Sequence, residues 1–188
     1  MATFSNYERE LHTKHIRHAL AEARKSPPKP TNFCVGACLV AMPAELTRPM
    51  DDRMDLLATG YTLECEGNTH AEQCCFIKLA AKYECSEDDL GHTMPEGVVL
   101  YTTMEPCNKR SAGNLPCVDR ILKLSNKHGE QAITKVYVGV SEPETFVGVN
   151  EGRRKLENAG IKVIHVPGME EEILAVATAG HEKRGADV

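Results

Sequence analysis

The chain has 188 residues with a formal net charge of −5, and 26% of its residues are charged against 41% that are hydrophobic. This length predicts a single domain spanning residues 1–188, since domains commonly contain about 100–200 residues. The acidic balance and the 5% of aromatic residues argue against a nucleic-acid-binding surface, which is usually basic or rich in stacking rings. We therefore expect no nucleic-acid partner.

The sequence also argues against a membrane protein. Its longest apolar-rich stretch, Phe33–Ala44, has 12 residues and contains Pro43, whereas a membrane span needs about 18–20 apolar residues. Charged side chains are scattered through the first 20 residues, unlike in a secretory signal. We expect a cytoplasmic protein, and in that reducing compartment the eight cysteines are expected to bind metal or pack in the core.

In chain order, amphipathic helical patterns alternate with short apolar runs. Strands are predicted at Phe33–Ala41, Leu56–Leu63, Val98–Thr103, Ile133–Val140 and Ile161–Val166. Helices are predicted at Asn6–Lys25, His70–Tyr83, Pro116–Asn126, Asn150–Asn158 and Met169–Lys183. Residues 42–55 and 84–97 are interpreted as loops. The alternation predicts an α/β fold, a three-layer α-β-α sandwich in which a five-stranded, mixed sheet has helices on both faces.

Three short motifs fall where predicted strands end and predicted helices begin, which is where α/β folds form their sites. His70-Ala71-Glu72 opens the second helix, for which Asn68 or Thr69 is the expected cap. Cys107 follows the third strand, and Cys117 opens the next helix. Each motif alone is common by chance, so their order along the chain is the informative feature.

One histidine and two cysteines form a mixed nitrogen and sulfur donor set that suits Zn²⁺, and three protein ligands leave a fourth position for water. We therefore interpret His70, Cys107 and Cys117 as metal ligands. A cysteine at a helix N-terminus is favoured as a thiolate by the helix dipole. Glu72, two residues after His70, can lie beside the metal and exchange protons with a water and a leaving group.

This arrangement resembles the zinc-dependent cytidine deaminase superfamily, whose signature is H-x-E followed by P-C-x-x-C. Nine residues, rather than two, separate Cys107 from Cys117. The long insertion, with its E-P-C start and P-C end, is similar to the pyrimidine deaminases of riboflavin biosynthesis. The segments Asn32–Ala37 and Gly60–Glu72 also resemble that family, so the likeness covers about residues 32–121.

The resemblance implies a cytidine deaminase-like fold, a zinc cofactor, Glu72 as the catalytic proton carrier, and a homodimer. The chain looks like the free-standing deaminase of fungi, which implies 2,5-diamino-6-ribitylamino-4(3H)-pyrimidinone 5′-phosphate as the small-molecule substrate. Family precedent places the Ala71 backbone and the Asn32 side chain against the pyrimidine edge. The insertion is expected to bind the phosphate or the ribityl chain through four residues, which are Lys109, Arg110, Ser111 and Asn114.

Two other functions remain open. One is a cytidine, deoxycytidylate or tRNA-adenosine deaminase, although the insertion and the acidic charge count against it. The other is a catalytically silent relative that binds zinc structurally, although a structural site has no use for Glu72 as a base.

Several further groups are interpreted as structural. The cysteines at positions 34, 38, 65, 74, 75 and 85 are expected to pack in the core. His12, His15 and His18 recur every three residues on the first helix and are interpreted as a solvated face. Residues 170–172, three glutamates, are expected in the first turn of the last helix, where the dipole favours acidic side chains.

Overall fold

A computed structural model describes residues 4–42, 55–141 and 151–181. Its strands are β1 (Gly36–Ala41), β2 (Asp55–Tyr61), β3 (Val98–Met104), β4 (Ile133–Val140) and β5 (Lys162–His165). Its helices are α1 (Asn6–Ala23), α2 (Ala71–Lys82), α3 (Leu90–Thr93), α4 (Cys117–Lys123), α5 (Gly152–Asn158) and α6 (Glu170–Ala177). The predicted alternation of helices and strands is therefore observed.

The five strands form one mixed sheet in the order β2-β1-β3-β4-β5. β1 pairs antiparallel with both β2 and β3, whereas β3, β4 and β5 run parallel. In parallel strands the carboxyl ends lie at the same edge, so the segments that follow β3 and β4 leave the sheet side by side. This edge carries the site described below.

Helices cover both faces of the sheet. α1 and α6 pack on one face, over a core that includes Ile16, Tyr101 and Ile173. α2 and α4 lie against the other face, over a second core that includes Phe76 and Leu100. β3 is buried along its whole length because helices cover it on both sides. The predicted three-layer sandwich is confirmed.

Element ends differ from the predictions where contacts outside the element intervene. β1 begins at Gly36 rather than Phe33, because the amide of Cys34 donates to the Ala177 carbonyl and that of Val35 to the Thr62 hydroxyl instead of to a neighbouring strand. α6 ends at Ala177 rather than Lys183. α4 ends at Lys123, since Leu124 has an extended ψ of 97°.

The structure tests one of the two predicted loops and describes almost none of the other. The predicted loop at 84–97 contains the short helix α3, in which Gly91 is buried and packs closely against Ser125. The predicted loop at 42–55 lies almost wholly outside the described residues, as does Asn150, the first residue of the fourth predicted helix. In the part of the chain that the structure describes, no helix is long and apolar enough to cross a membrane.

The predicted solvated face of α1 is wrong for His12. This side chain is only 4% exposed, its Nδ1 lies 2.8 Å from the Tyr101 hydroxyl, and its ring stacks on Tyr137 at 4.1 Å. His15 is half-buried, and only His18 is exposed. Burial lowers the pKa of His12 from 6.5 to about 4, because the apolar surroundings disfavour the charged imidazolium.

The interpretations of the cysteines and of the glutamates at 170–172 agree with the structure for most of these residues. All eight cysteines are free thiols; those at positions 34, 38, 74 and 75 are buried in the core, whereas Cys65 and Cys85 are half-buried. The three glutamates occupy the first turn of α6, where acidic side chains complement the positive end of the helix dipole.

Candidate metal centre and reaction cavity

His70 is held at the start of α2. It occupies the N-cap position with extended backbone angles (φ −96°, ψ 161°), and no side chain caps the helix there. The predicted cap at Asn68 or Thr69 is therefore wrong, and the Thr69 hydroxyl instead donates to the Cys65 carbonyl at 3.0 Å. Because His70 lies just outside the helix, its ring is free to face the segment that follows β3.

Gly60 fixes how closely α2 approaches the sheet. A Cβ at this position in β2 would lie 2.2 Å from the Ala71 carbonyl oxygen and 2.9 Å from the Cys75 nitrogen. Those distances are shorter than van der Waals contact, so only glycine allows this approach. The first turn of α2, which carries the His-x-Glu motif, is consequently set directly against β2.

The two cysteines are brought together by the N-terminus of α4. Cys117 is the first residue of the helix, and its amide donates to the Cys107 sulfur at 3.4 Å. The next amide, of Val118, donates to the Cys107 carbonyl at 3.2 Å. The insertion between the cysteines therefore forms a closed loop whose two ends meet at the candidate ligands.

The three predicted ligands meet at one point. The Nδ1 of His70 lies 3.4 Å from the Cys107 sulfur and 3.5 Å from the Cys117 sulfur, and all three donor atoms lie within 4.8 Å of one another. A tetrahedral zinc with Zn–S bonds of about 2.3 Å and Zn–N bonds of about 2.1 Å separates nitrogen from sulfur by about 3.6 Å. The donor set and its spacing thus fit Zn²⁺.

Electrostatics at the cysteines also suit a metal centre. Hydrogen bonding with the Cys117 side chain, assisted by His70, lowers the pKa of Cys107 to about 4. A thiolate is the form of cysteine that binds metal. Cys117, which shares the proton with Cys107 and is fully buried, has its pKa raised, so its own thiolate requires the charge of a cation nearby.

Glu72 lies beside this cluster. Its carboxylate Oε2 is 3.3 Å from the Cys117 sulfur, and the side chain is buried. Burial, followed by the negative charge of Cys107, raises the pKa of Glu72. A carboxylate with a raised pKa is suited to exchanging protons near neutral pH.

A cavity of about 230 Å³ opens beside the candidate ligands. His70, Glu72 and Cys107 are among the residues that line it. Its wall also includes four of the predicted substrate-binding residues, namely Asn32, Lys109, Arg110 and Ser111. Ala71 and Asn114 do not belong to the wall; Asn114 instead donates from its side chain to the Ser111 hydroxyl at 3.2 Å.

Hydrogen bonds hold the Arg110 side chain at the rim of the cavity. Its guanidinium donates to the side-chain oxygen of Gln73 at 3.1 Å and to the Asn68 carbonyl. Lys109 is exposed. The two cations of the insertion therefore differ, since Arg110 is held in place by α2 and by the loop before it, whereas Lys109 extends into solvent.

Sequence reasoning assigned no role to Glu105, which also lines the cavity. Its buried carboxylate accepts a hydrogen bond from the Arg153 guanidinium at 3.0 Å. A signal for Glu105 was present in the sequence, because it opens the E-P-C motif directly after β3. Arg153, on α5, carried no signal, because its partner lies 48 residues earlier in the chain.

The fold, the cluster of His70, Cys107 and Cys117 and the adjacent buried glutamate fit a zinc-dependent deaminase. Residues 9–139 match the cytidine and deoxycytidylate deaminase zinc-binding region, and the chain belongs to that family. The predicted superfamily and its zinc cofactor are therefore confirmed.

Individual relatives in this family have names that state their substrate. The chain is 36% identical over 170 residues to diaminohydroxyphosphoribosylamino-pyrimidine deaminase of Schizosaccharomyces pombe, an alignment that covers 90% of this chain and 36% of that protein. The chain therefore spans little more than a third of the length of this relative.

Solved structures show the same likeness. Aspergillus oryzae Rib2 deaminase, as a C-terminal deletion mutant at pH 4.6, is 48% identical with a TM-score of 0.83, covering 92% of this chain and 94% of that one. The same deaminase in complex with DARIPP is 46% identical with a TM-score of 0.80, covering 91% and 92%. A deaminase/reductase of Thermotoga maritima is 26% identical with a TM-score of 0.66, covering 92% of this chain and 41% of that one.

Proposed function

We propose that this chain deaminates 2,5-diamino-6-ribitylamino-4(3H)-pyrimidinone 5′-phosphate in riboflavin biosynthesis. Water supplies the oxygen that replaces the 2-amino group, which leaves as ammonia, and the product is the 5-amino-6-ribitylamino-uracil phosphate. The observation that carries this proposal is the convergence of His70, Cys107 and Cys117 beside the buried Glu72, in a cavity whose rim holds a fixed arginine.

His70, Cys107 and Cys117 would hold the zinc ion. When bound there, zinc supplies a water molecule whose pKa is lowered from about 15.7 to about 7. The protein would contribute the remaining proton transfers through Glu72. Its raised pKa lets it accept one proton from the attacking water and deliver it to the ring nitrogen next to C2, and then carry the second proton, from the hydroxyl formed at C2, to the amine as the C–N bond breaks.

The size of the cavity supports a substrate with a ring inside and a chain outside. At about 230 Å³ it is smaller than the roughly 300–1,000 Å³ typical of sites that enclose a whole ligand. We therefore place the pyrimidine ring in the cavity, next to Asn32, and the ribityl phosphate along the insertion. There Arg110 and Lys109 supply positive charge, and Ser111, supported by Asn114, supplies a hydroxyl.

Ala71 takes part in this proposal through its backbone alone, because its side chain is fully buried. The A. oryzae relative that binds DARIPP and the S. pombe relative named as a diaminohydroxyphosphoribosylamino-pyrimidine deaminase both support a phosphorylated diaminopyrimidine of riboflavin biosynthesis as the substrate. These two relatives favour that substrate over cytidine, deoxycytidylate or tRNA adenosine. Glu72 at the metal centre argues against a silent, zinc-binding relative.

Three further features remain predictions. These are a homodimer, a cytoplasmic location, and a single domain over residues 1–188. Size-exclusion chromatography with light scattering checks the first, and a mass equal to a monomer at micromolar concentration would contradict it.

A substrate panel tests the proposed function. Ammonia release would be measured with the ribitylamino pyrimidine phosphate, its ribosylamino counterpart and deoxycytidylate, with zinc quantified on the same sample. We expect about one zinc per chain and turnover of the ribitylamino compound alone. Turnover of deoxycytidylate without the ribitylamino compound would refute the substrate assignment, and a zinc-loaded protein that turns over none of the three would favour the silent relative.

A further inference from the structure

Residues 27–35, here termed the wall, carry Asn32 and three further residues that line the cavity. The wall is contacted by residues 177–181, which are the last residue of α6 and the four residues that follow it. We propose that these residues, here termed the clasp, position Asn32 for the pyrimidine ring, with His181 as the main positioning residue. This inference rests on the proposed function, since it concerns how the same cavity receives its substrate.

The wall has little regular structure of its own. Pro27, Pro28 and Pro30 break the chain after α1, and β1 begins only at Gly36. Between them, the wall makes one isolated bridge, in which the Asn32 amide donates to the Lys29 carbonyl at 3.3 Å. A segment of this kind keeps one conformation only where neighbouring elements fix it.

Among the contacts that join the clasp to the wall, three involve Cys34, Asn32 and Phe33. The amide of Cys34 donates to the Ala177 carbonyl at 2.9 Å. The Nε2 of His181 lies 3.1 Å from the Asn32 carbonyl, to which it donates because a carbonyl oxygen only accepts. The His181 ring also packs on the Phe33 ring, with centroids 4.7 Å apart. Two of these contacts fall on residues that line the cavity.

Gly180 permits the clasp to lie this close. A Cβ at this position would stand 2.3 Å from the Lys29 nitrogen and 2.7 Å from both the Lys29 carbonyl oxygen and the Pro28 carbonyl carbon. These neighbours are backbone atoms that cannot rotate away. Any larger residue at position 180 must therefore displace either the clasp or the wall.

The side chain of Asn32 also makes polar contacts on the cavity side of the wall. Its side-chain oxygen accepts from the Thr31 hydroxyl at 3.0 Å, and its side-chain nitrogen lies 3.5 Å from the Asn68 side-chain oxygen. The Asn68 carbonyl in turn accepts from Arg110. A polar chain of contacts thus runs from His181 through Asn32 to the rim that receives the phosphate, and small displacements of positioning groups in enzyme sites can be costly.

The alternative is that the clasp only stabilises α6. However, α6 ends at Ala177, and its own packing on the sheet is supplied by buried residues within the helix, Ile173 and Ala177. His181 lies beyond them and contacts the wall. The alternative predicts that replacing His181 changes thermal stability and leaves substrate affinity unchanged.

Kinetic measurements on clasp variants distinguish the positioning role from a purely structural role. His181→Ala should raise the KM for the ribitylamino compound about tenfold, as expected for the loss of one positioning hydrogen bond, with a much smaller change in kcat and unchanged zinc content. His181→Gln, whose amide can still donate, should recover much of the loss. Gly180→Val should also raise the KM for the ribitylamino compound, as His181→Ala does. Leu174→Ala, at an exposed position of α6, is the matched control and should match wild type.

A double-mutant cycle with Asn32→Ala shows whether His181 acts through Asn32. We expect the His181→Ala effect on KM to disappear when the Asn32 side chain is absent. An undiminished effect in that background, or a KM that is indifferent to His181 in an enzyme that turns over the ribitylamino compound, would overturn the inference alone. A wild-type protein that does not turn over this compound would overturn the proposed function and the inference with it.

Discussion

The ion pair between Arg153 and Glu105 allows a quantitative test of how the cavity wall is stabilised. Glu105 is buried, with 4% of its side chain exposed, and the guanidinium of Arg153 lies 3.0 Å from its carboxylate. Replacing Arg153 by Met keeps most of the packing of the arginine stem but removes the charge. The carboxylate is then left in a buried position without this partner.

Removing one partner of a fully buried ion pair costs about 3–5 kcal/mol of unfolding free energy. The Arg153 side chain is 36% exposed, however, so water reaches one side of the pair and reduces the cost, to about 2 kcal/mol. In a domain of this size, 1 kcal/mol shifts the midpoint of thermal unfolding by about 2–4 °C. Arg153→Met is therefore expected to lower Tm by about 4–8 °C.

The neighbouring pair Arg154–Glu151 is the matched control, since its side chains are 73% and 57% exposed. Arg154→Met should change the unfolding free energy by less than about 0.5 kcal/mol. Adding Glu105→Gln to Arg153→Met removes the unpaired charge and should restore part of the lost Tm. Scanning calorimetry on zinc-loaded protein measures all three, and equal Tm values for Arg153→Met and Arg154→Met would refute the reasoning.

Two further predictions concern α1 and α2. Burial lowers the pKa of His12 from 6.5 to about 4. Between these two pH values the unfolded chain therefore binds a proton at His12 that the folded protein does not bind. The contribution of His12 to the unfolding free energy should therefore be fully present above about pH 6.5 and fall by about 1.4 kcal/mol per pH unit toward pH 4. His12→Gln should make that dependence shallower in urea titrations, whereas the exposed His18→Gln should leave it unchanged. Gly60→Ala places a Cβ 2.2 Å from the Ala71 carbonyl and should weaken zinc binding about tenfold or more by moving the start of α2; a wild-type affinity in competition with a chelator would contradict this.

The sequence predicted the sheet and the metal centre because both depend on local patterns. Apolar runs of the right length define β3 and β4, and the His-x-Glu and Pro-Cys motifs mark the starts of α2 and α4. These motifs combine residue type with position at an element end. The order of the elements then brings the three candidate ligands to one edge of the sheet.

Features that depend on contacts between distant segments were not predictable in the same way. Most residues next to His12 in sequence are polar or charged, and only its packing against Tyr101 and Tyr137 shows that it is buried. Arg153 reaches Glu105 across the sheet edge, and His181 reaches Asn32 from 149 residues away. No spacing along the chain encodes such pairs.

Glu72→Gln tests most directly whether this site is a deaminase centre. The amide keeps the shape of the side chain but cannot carry a proton between water, ring and leaving group. We expect ammonia release from the ribitylamino compound to fall by about 10²–10⁴-fold while zinc stays at the wild-type content, because Glu72 is adjacent to the ligands without being one of them. A variant that retains wild-type turnover at full zinc content would contradict the central claim.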